Sequence, residues 1–202
     1  MQRTNHTQMI RKLVVSGMLV ALVVVLMVTG LGFIRVGPIQ ASLLCLPIIL
    51  GVMTEGLGVG FVLGLTFGVL SFIQSFGTPS PLSVFFMNPL ISVLPRICIP
   101  VVVWLVVKGF KDVSYENAKK KVLLRILASL SGALTNTALV LGAIFIAYSL
   151  GYIVVDMEEI YEHGMALFLL FIALTNGLPE AAVMALVTPP VMAALDRTVY
   201  KR

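Results

Sequence analysis

Charged side chains are scarce in this sequence of 202 residues. Asp, Glu, Lys and Arg make up 11% of the chain, whereas apolar residues make up 59%. A soluble globular domain usually contains about 25% charged and about 45–50% apolar residues. The shortage of charge therefore argues against a soluble domain. Apolar stretches of about 20 residues recur along the chain, as helices that cross a ~30 Å hydrocarbon core require. Because alternating ten-residue barrel strands are absent, we predict an all-α integral membrane protein.

The residues and motifs of common catalytic sites are also few. The two cysteines, Cys45 and Cys98, stand alone within apolar segments, and we interpret them as small core residues. The two histidines, His6 and His163, fall in a polar tail and a loop, outside any Ser-His-Asp arrangement. A phosphate-binding G-x-x-x-x-G-K motif is absent, so the chain is not expected to hydrolyse ATP itself. We predict no enzymatic activity, no metal site and no cofactor.

Most of the 14 Lys and Arg residues are clustered near the start, in one central segment and at the end. The clusters are Arg3, Arg11 and Lys12; Lys108, Lys111, Lys119, Lys120, Lys121 and Arg125; and Arg197, Lys201 and Arg202. Arg96 and Arg35 stand apart, and Arg35 is the only base expected in an external loop. Basic clusters on alternate connections follow the positive-inside rule, whereas nucleic-acid binding would need one large basic surface. The acidic segment 156–162 contains no Lys or Arg and is placed outside. We predict a multi-pass protein of the cell membrane with both termini in the cytoplasm and no nucleic-acid partner.

Six transmembrane helices are predicted, within a single membrane domain that covers residues 1–202. Their approximate bounds are 13–33, 41–53, 57–76, 85–108, 122–150 and 165–195. The second helix is shorter than a perpendicular span needs and contains Pro47, so we expect it to be tilted or broken in the bilayer. The third contains glycines close to a four-residue spacing, which predicts a seam for tight helix packing. These glycines are Gly58, Gly60, Gly64 and Gly68.

Polar residues interrupt the last three predicted helices at similar depths. An ionisable side chain deep in an apolar span costs roughly 2.5 kcal/mol or more, so it normally has a partner or a function. The phrase Ala-Leu-Thr-Asn occurs twice, ending at Asn136 and at Asn176, and the charged residues of this region are Arg96 and Glu180. Counting 1.5 Å per residue from each outer end places all four roughly 12–23 Å deep. We predict a substrate-binding pocket at this depth.

The composition of this pocket suits a small polar, anionic ligand. Asn offers donors and an acceptor, Arg five donors, and Glu acceptors. Gln74 and Asn88 are expected nearer the outer mouth of the pocket. In an alternative interpretation Arg96 and Glu180 only pair with each other, as a packing clamp in a structural membrane subunit. Replacing Arg96 with methionine separates these interpretations, because a binding site loses its ligand whereas a clamp loses only folding.

The first predicted helix carries two small residues one turn apart, Gly17 and Ala21. Small residues at this spacing lie on the same face and let the backbone of another helix approach closely. Spacing alone does not separate docking of a partner protein from ordinary packing within the bundle.

Several phrases of the sequence resemble the substrate-binding S components of energy-coupling-factor (ECF) vitamin transporters. They are PIILGVMTEGLGVGFVLGLTFGVLSF, NPLISVLPRI, LTNTALVLG and LTNGLPEAAVMALVTPP. The resemblance covers residues 13–195, and the last two phrases are its most specific parts. Among such proteins they are most similar to the pantothenate-type branch.

The resemblance implies a protein that binds a vitamin from outside, in a pocket built largely by its last three helices. It also implies docking through the first helix onto a transmembrane coupling subunit that carries two ATPase subunits. Gly17 and Ala21 stand where the common family pattern has two alanines. Pantothenate would place its carboxylate at Arg96 and its hydroxyls or amide at Asn136 and Asn176. Riboflavin, or a pyridoxine or nicotinate derivative, is the alternative ligand on the same scaffold.

Overall fold

The computed structural model describes residues 2–36, 39–77, 83–110, 118–152 and 164–198. Most of this part of the chain is helical, and a short β-hairpin follows the first helix. In chain order the elements are α1 Gln2–Val28, β1 Phe33–Val36, β2 Ile39–Ser42, α2 Cys45–Glu55, α3 Leu57–Gly77, α4 Ser83–Phe86, α5 Pro89–Gly109, α6 Ala118–Ser149, α7 Met165–Ile172, a π-helical turn Ala173–Gly177 and α8 Leu178–Thr198. The predicted acidic loop, 156–162, lies outside the described residues.

Helices α3 and α5 run in opposite directions. Gly60 of α3 packs on Pro100 of α5, and Gly68 packs eight residues further on α3 against the earlier residue Val93. The hairpin follows α1 at the end of the bundle where α3 and α6 finish and α5 and α7 begin. We call this the hairpin end, and the other the opposite end.

Five helical segments of the described residues are long and apolar enough to cross a membrane. They are Met9–Val28, Leu57–Gly77, Pro89–Gly109, Ala118–Ser149 and Met165–Thr198. Large apolar side chains such as Met18, Leu134 and Leu186 remain exposed around the bundle. Extensive apolar surface of this kind is rare on soluble monomers and is suited to contact with lipid. Helix α2 has 11 residues and reaches only ~16 Å, about half of the hydrocarbon core.

The short helix α2 lies in the centre of the bundle. It contacts α1, α3, α5, α6 and α8. Its residues Ile48 and Ile49 are fully buried together with Leu63 of α3, Ile99 of α5 and Met184 of α8. Because lipid tails are as apolar as these side chains, their contribution to helix association in a bilayer comes mainly from close van der Waals packing. The longer helices therefore surround α2 and fix where its first residue lies.

The predicted bounds of the first two helices are wrong. Helix α1 begins at Gln2 and ends at Val28, and Gly30 follows with φ 71°, the left-handed conformation that glycine adopts after many helix ends. Residues predicted as a loop and as the start of helix 2 instead form the hairpin, in which Phe33 pairs with Ser42. Because α2 starts only at Cys45, Pro47 falls in its first turn, where a missing N–H breaks no helical hydrogen bond.

The predicted fourth helix is broken near its start. Helix α4 ends at Phe86, and α5 begins at Pro89. The side chain of Asn88 accepts a hydrogen bond from the N–H of Leu90 at 3.0 Å, which caps α5. Pro89 at the first helical position suits this start because its N–H would have no helical partner. The hydroxyl of Ser92 donates to the carbonyl of Phe86 and joins the two helices across the break.

The predicted sixth helix is present but contains the π-helical turn between α7 and α8. Pro179 has no N–H to donate to the carbonyl of Thr175 four residues earlier. The preceding turn is widened, and the N–H of Leu178 donates to the carbonyl of Ala173. Single π-helical turns inside α-helices are frequent at functional sites. This one ends three residues before Glu180.

The predicted glycine seam is confirmed for three of its four members. A Cβ at Gly64 would overlap the backbone carbonyl of Arg96, and one at Gly68 would lie 2.9 Å from Cα of Val93. Gly60 is equally close to Pro100, whereas Gly58 has nothing within 4 Å. The carbonyl of Arg96 also lacks its usual helical hydrogen bond, because Pro100, four residues later, has no N–H. Helices α3 and α5 thus approach closely beside Arg96.

Alanine at Gly64 is expected to destabilise the protein by about 1–3 kcal/mol, because the added methyl group meets rigid backbone. The measurement is thermal unfolding in detergent. The matched control is Gly58→Ala on the same helix, which is expected to be neutral or slightly stabilising since the site is open. Equal stability of the two variants would contradict the close approach of α3 and α5.

Candidate functional site

Glu180 lies inside the bundle against two other polar side chains. Its Oε1 accepts hydrogen bonds from Nδ2 of Asn136 at 3.4 Å and from the thiol of Cys45 at 3.2 Å. The backbone N–H of Ser42, at the end of β2, also faces this carboxylate. Glu180 is 6% exposed, Asn136 8% and Cys45 0%. Three helices and the hairpin therefore meet at one carboxylate, which we call the Glu180 cluster (Cys45, Asn136 and Glu180).

The Glu180 cluster lies deep in the bundle. Asn136 is thirteen residues before the end of α6 at Ser149, or roughly 20 Å from the hairpin end. It belongs to a buried stripe of α6 with the period of a helix, which includes Ala133, Val140 and Ile144. Asn136 and Glu180 were predicted to lie at a similar depth, and the hydrogen bond between them shows that they do. Their role in binding remains a prediction.

Cys45 is the member of this cluster that sequence analysis missed. It was interpreted as a small core residue, and it is indeed buried. Its thiol, however, faces Glu180 because Cys45 is the first residue of α2 and follows the turn out of the hairpin. In that turn the N–H of Leu44 donates to Oγ of Ser42 at 3.2 Å. The signal in the sequence was the Gly-Pro pair at 37–38, which marks a turn between two short runs.

Arg96 is held by its own helix. Pro95 has no N–H for the carbonyl of Ile91, four residues earlier, and Nη1 of Arg96 donates to that carbonyl at 2.9 Å. The guanidinium thus replaces the missing helical hydrogen bond and is drawn back toward the start of α5. This exchange explains why Pro95 and Arg96 occur together in the middle of a span.

Two aromatic rings enclose the Arg96 guanidinium. Its Cζ lies 5.3 Å from the ring centroid of Phe67 and 4.9 Å from that of Phe86. Cation–π contacts of this kind contribute roughly 0.5–2 kcal/mol. Arg96 is 5% exposed, and its Nε has no hydrogen-bond partner in the described part of the chain. A buried arginine with unused donors is suited to receive an anionic group.

Arg96 and Glu180 do not pair directly. Neither residue takes part in the ion pairs Lys121–Asp196 at 2.9 Å and Arg125–Asp196 at 2.5 Å, which lie at the opposite end. The clamp that the sequence left open as an alternative is therefore not formed between described residues. Neither side chain spends hydrogen bonds on the other, and each contacts different neighbours.

The remaining predicted site residues occupy different positions. Asn176 is half-buried in the π-helical turn, where Gly177 packs so closely on α6 that a Cβ would lie 2.6 Å from Cγ2 of Thr137. Gln74 donates to the carbonyl of Met27 at 3.4 Å and joins α3 to α1. Asn88 caps α5. Gln74 and Asn88 thus lie near the hairpin end, each in contact with backbone.

The buried polar groups leave complementary capacity unused. Arg96 offers donors only, and one of its five is used on Ile91. Oδ1 of Asn136 is a buried acceptor without a partner in the described residues. Since an amide nitrogen must face the carboxylate, the orientation of the Asn136 amide is fixed by Glu180. The arrangement suits a ligand with an anionic group and hydroxyls.

Among the described residues no group of three or more His, Cys, Asp or Glu is placed to hold a metal ion.

Helix α1 presents a second surface of interest. Gly17 and Ala21 are both exposed, and nothing lies within 4 Å of where a Cβ of Gly17 would be. Met18, Leu22 and Val25 are exposed beside them. The small residues are therefore not used for packing inside the bundle in the described residues. They form an open shallow face, which we call the α1 face (Gly17, Met18, Ala21, Leu22 and Val25).

Comparison with known proteins shows the family of the chain. A family model described as "ECF transporter, substrate-specific component" matches residues 11–192. The chain is also 27% identical over 174 residues to the pantothenic acid transporter PanT of Lactococcus lactis subsp. cremoris (strain MG1363). That similarity covers 79% of this chain and 80% of the relative. Since the family match covers most of the chain, and five helices are apolar and long enough to cross a membrane, this membrane protein belongs to the substrate-specific components of ECF transporters.

Proposed function

We propose that this protein captures pantothenate from outside the cell and delivers it for ATP-driven uptake by partner subunits. The observation that supports this most directly is that Arg96 and the Glu180 cluster are buried in a bundle of apolar helices and are not ion-paired with each other, while Nε of Arg96 and Oδ1 of Asn136 lack partners among the described residues. Similarity to a pantothenic acid transporter supports the choice of vitamin.

Pantothenate offers one carboxylate, one amide and two hydroxyls. The guanidinium of Arg96 binds the carboxylate by charged hydrogen bonds, which are stronger than neutral ones. Asn136, Asn176 and Glu180 bind the hydroxyls and the amide. Gln74 and Asn88 line the approach from the hairpin end. The apolar surroundings of the cluster suit the two methyl groups of the ligand.

The proposed topology has six crossings and both termini in the cytoplasm, in a single membrane domain of the cell membrane. Helix α2 and the hairpin together complete the second crossing, since α2 alone is too short. Lys108, Lys121, Arg125 and Arg197 lie at the ends of helices at the opposite end. Their position supports a cytoplasmic opposite end by the positive-inside rule.

The α1 face is the proposed docking surface for the transmembrane coupling subunit, which carries two ATPase subunits. Gly17 and Ala21 let another helix approach closely, because they project little beyond the backbone. The exposed position of both residues supports this role.

Calorimetric titration of the detergent-purified protein tests the ligand. Pantothenate, riboflavin, pyridoxine and nicotinate are each added to folded, ligand-free protein. We expect tight binding of pantothenate alone. Tight binding of another vitamin in the panel would contradict the ligand while retaining vitamin capture. No binding of any of the four by folded protein would contradict both.

A further inference from the structure

We propose that the site binds the two ends of a ligand with a carboxylate and hydroxyls at two different depths. In this proposal, Cys45 is the positioning residue for the deeper, hydroxyl-binding end. Arg96 takes the carboxylate nearer the hairpin end, and Glu180 with Asn136 takes the hydroxyls further in. This inference rests on the proposed function. It adds the relative depths at which the two ends of the ligand are bound and a role for a residue that does not need to touch the ligand.

The two ends are separated along the bundle. The backbone of Arg96 faces Gly64, which is thirteen residues before the end of α3, the same count as Asn136 before the end of α6. The Arg96 guanidinium does not stay at that level, because it bonds to the carbonyl of Ile91 five residues toward the hairpin end. It therefore lies roughly one helical turn nearer the hairpin end than the contact between Asn136 and Glu180.

The two ends also differ in what they can bind. The Arg96 end has only donors and a positive charge, and its Nε is unpartnered. The Glu180 cluster has spare acceptors. Oδ1 of Asn136 has no partner among the described residues, and the carboxylate has about four acceptor positions for the donors from Cys45, Asn136 and the backbone of Ser42. A hydroxyl can donate to this cluster, whereas a ligand carboxylate there would meet another carboxylate. The ligand is therefore oriented with its carboxylate at Arg96 and its hydroxyls at the Glu180 cluster.

Cys45 holds Glu180 in the position that this orientation needs. Its thiol donates to Oε1, the oxygen that also accepts from Asn136. Because two side chains donate to Oε1, the carboxylate cannot rotate freely. Its remaining lone pairs therefore keep a fixed orientation toward the ligand. Alanine at position 45 removes the donor, and serine keeps one in almost the same place.

The test compares three ligands by calorimetry: pantothenate, pantothenol, in which a primary alcohol replaces the carboxylate, and the dideoxy analogue, in which hydrogen replaces both hydroxyls. Wild-type protein is expected to bind each analogue roughly 10- to 100-fold more weakly than pantothenate, as loss of a buried hydrogen-bonding partner implies. Arg96→Gln should abolish the penalty for pantothenol and keep that for the dideoxy analogue. Cys45→Ala should reduce the dideoxy penalty by roughly 3- to 10-fold, with the pantothenol penalty unchanged. Cys45→Ser should restore the weaker binding of the dideoxy analogue that the wild-type protein shows.

Cys98→Ala is the matched control, since Cys98 is a half-buried cysteine of α5 outside the cluster, and it should leave all three affinities unchanged. Equal weakening of the three ligands by Cys45→Ala would show a structural role only and overturn the inference. Loss of the dideoxy penalty in Arg96→Gln would reverse the orientation and also overturn it. Absence of pantothenate binding by wild-type protein would instead contradict the proposed function on which the inference rests.

Discussion

Methionine in place of Arg96 is expected to weaken pantothenate binding by roughly 100-fold, which corresponds to ~2.7 kcal/mol. Charged hydrogen bonds to the ligand carboxylate are lost, while a side chain of similar length still fills the space between Phe67 and Phe86. The thioether also packs well against aromatic rings, so the change is mainly one of charge and donors. Calorimetric titration with pantothenate measures the effect.

A loss of folding must be separated from a loss of binding in this variant. Arg96→Met leaves the carbonyl of Ile91 without a donor, which is expected to lower the free energy of unfolding by about 1–3 kcal/mol. Adding Pro95→Ala restores an N–H at position 95, and that N–H can donate to Ile91. We expect the double variant to regain stability and still fail to bind.

Arg125→Met provides a control at another buried arginine. Arg125 is 5% exposed, like Arg96, but it pairs with Asp196 at the opposite end. This variant is expected to be less stable, and its folded fraction should bind pantothenate normally. Recovery of binding in the Pro95→Ala/Arg96→Met double variant would show that Arg96 acts through folding, and would remove it from the site.

Leucine at Gly17 is expected to reduce pantothenate uptake by roughly tenfold or more while leaving binding unchanged. The isobutyl side chain would stand on the α1 face and keep the backbone of a docked helix at a distance. Because no atom of the bundle lies within 4 Å of the added Cβ, the fold should not be affected. Uptake is measured in cells that contain the partner subunits, and binding by calorimetry. Ala21→Leu should act in the same way.

Gly58→Leu is the matched control for this prediction. Gly58 is an exposed glycine of α3 that also has nothing within 4 Å of its added Cβ, and it lies outside the α1 face. We expect normal uptake from this variant. Normal uptake by Gly17→Leu at equal expression would contradict docking through the α1 face, whereas loss of binding would show that α1 supports the site.

Long apolar periodicity made most of the helical architecture predictable. The third predicted helix, 57–76, differs from the observed Leu57–Gly77 by one residue. Its two ends were predictable because Gly56 precedes the helix and a sequence rich in Gly, Pro and Ser follows it. The contact between Asn136 and Glu180 was also accessible, since depth along two antiparallel helices follows from a fixed rise per residue. Simple counting therefore located the polar centre.

Counting along single helices could not locate the hairpin or Cys45. Strand pairing depends on contacts between segments, and two strands of four residues carry little periodic signal. The predicted helix 2 begins at residue 41, which places Cys45 inside a helix as a small apolar residue. In the structure, Cys45 is the first residue of α2. The direction of Arg96 was equally hidden, because it depends on which carbonyl Pro95 leaves without a donor.

Helix α2 starts in the middle of the bundle, and its backbone carries an electrostatic consequence. The aligned peptide dipoles of a helix amount to roughly half a positive charge at its N-terminus. Cys45 is the first residue of α2, its first turn has no side-chain cap, and the Glu180 carboxylate is hydrogen-bonded there. The dipole of α2 therefore favours a negative charge at Glu180 inside the bundle, in addition to the hydrogen bonds from Cys45 and from the backbone of Ser42. In the proposed function, this dipole shares the stabilisation of Glu180, and the guanidinium of Arg96 faces the carboxylate of pantothenate.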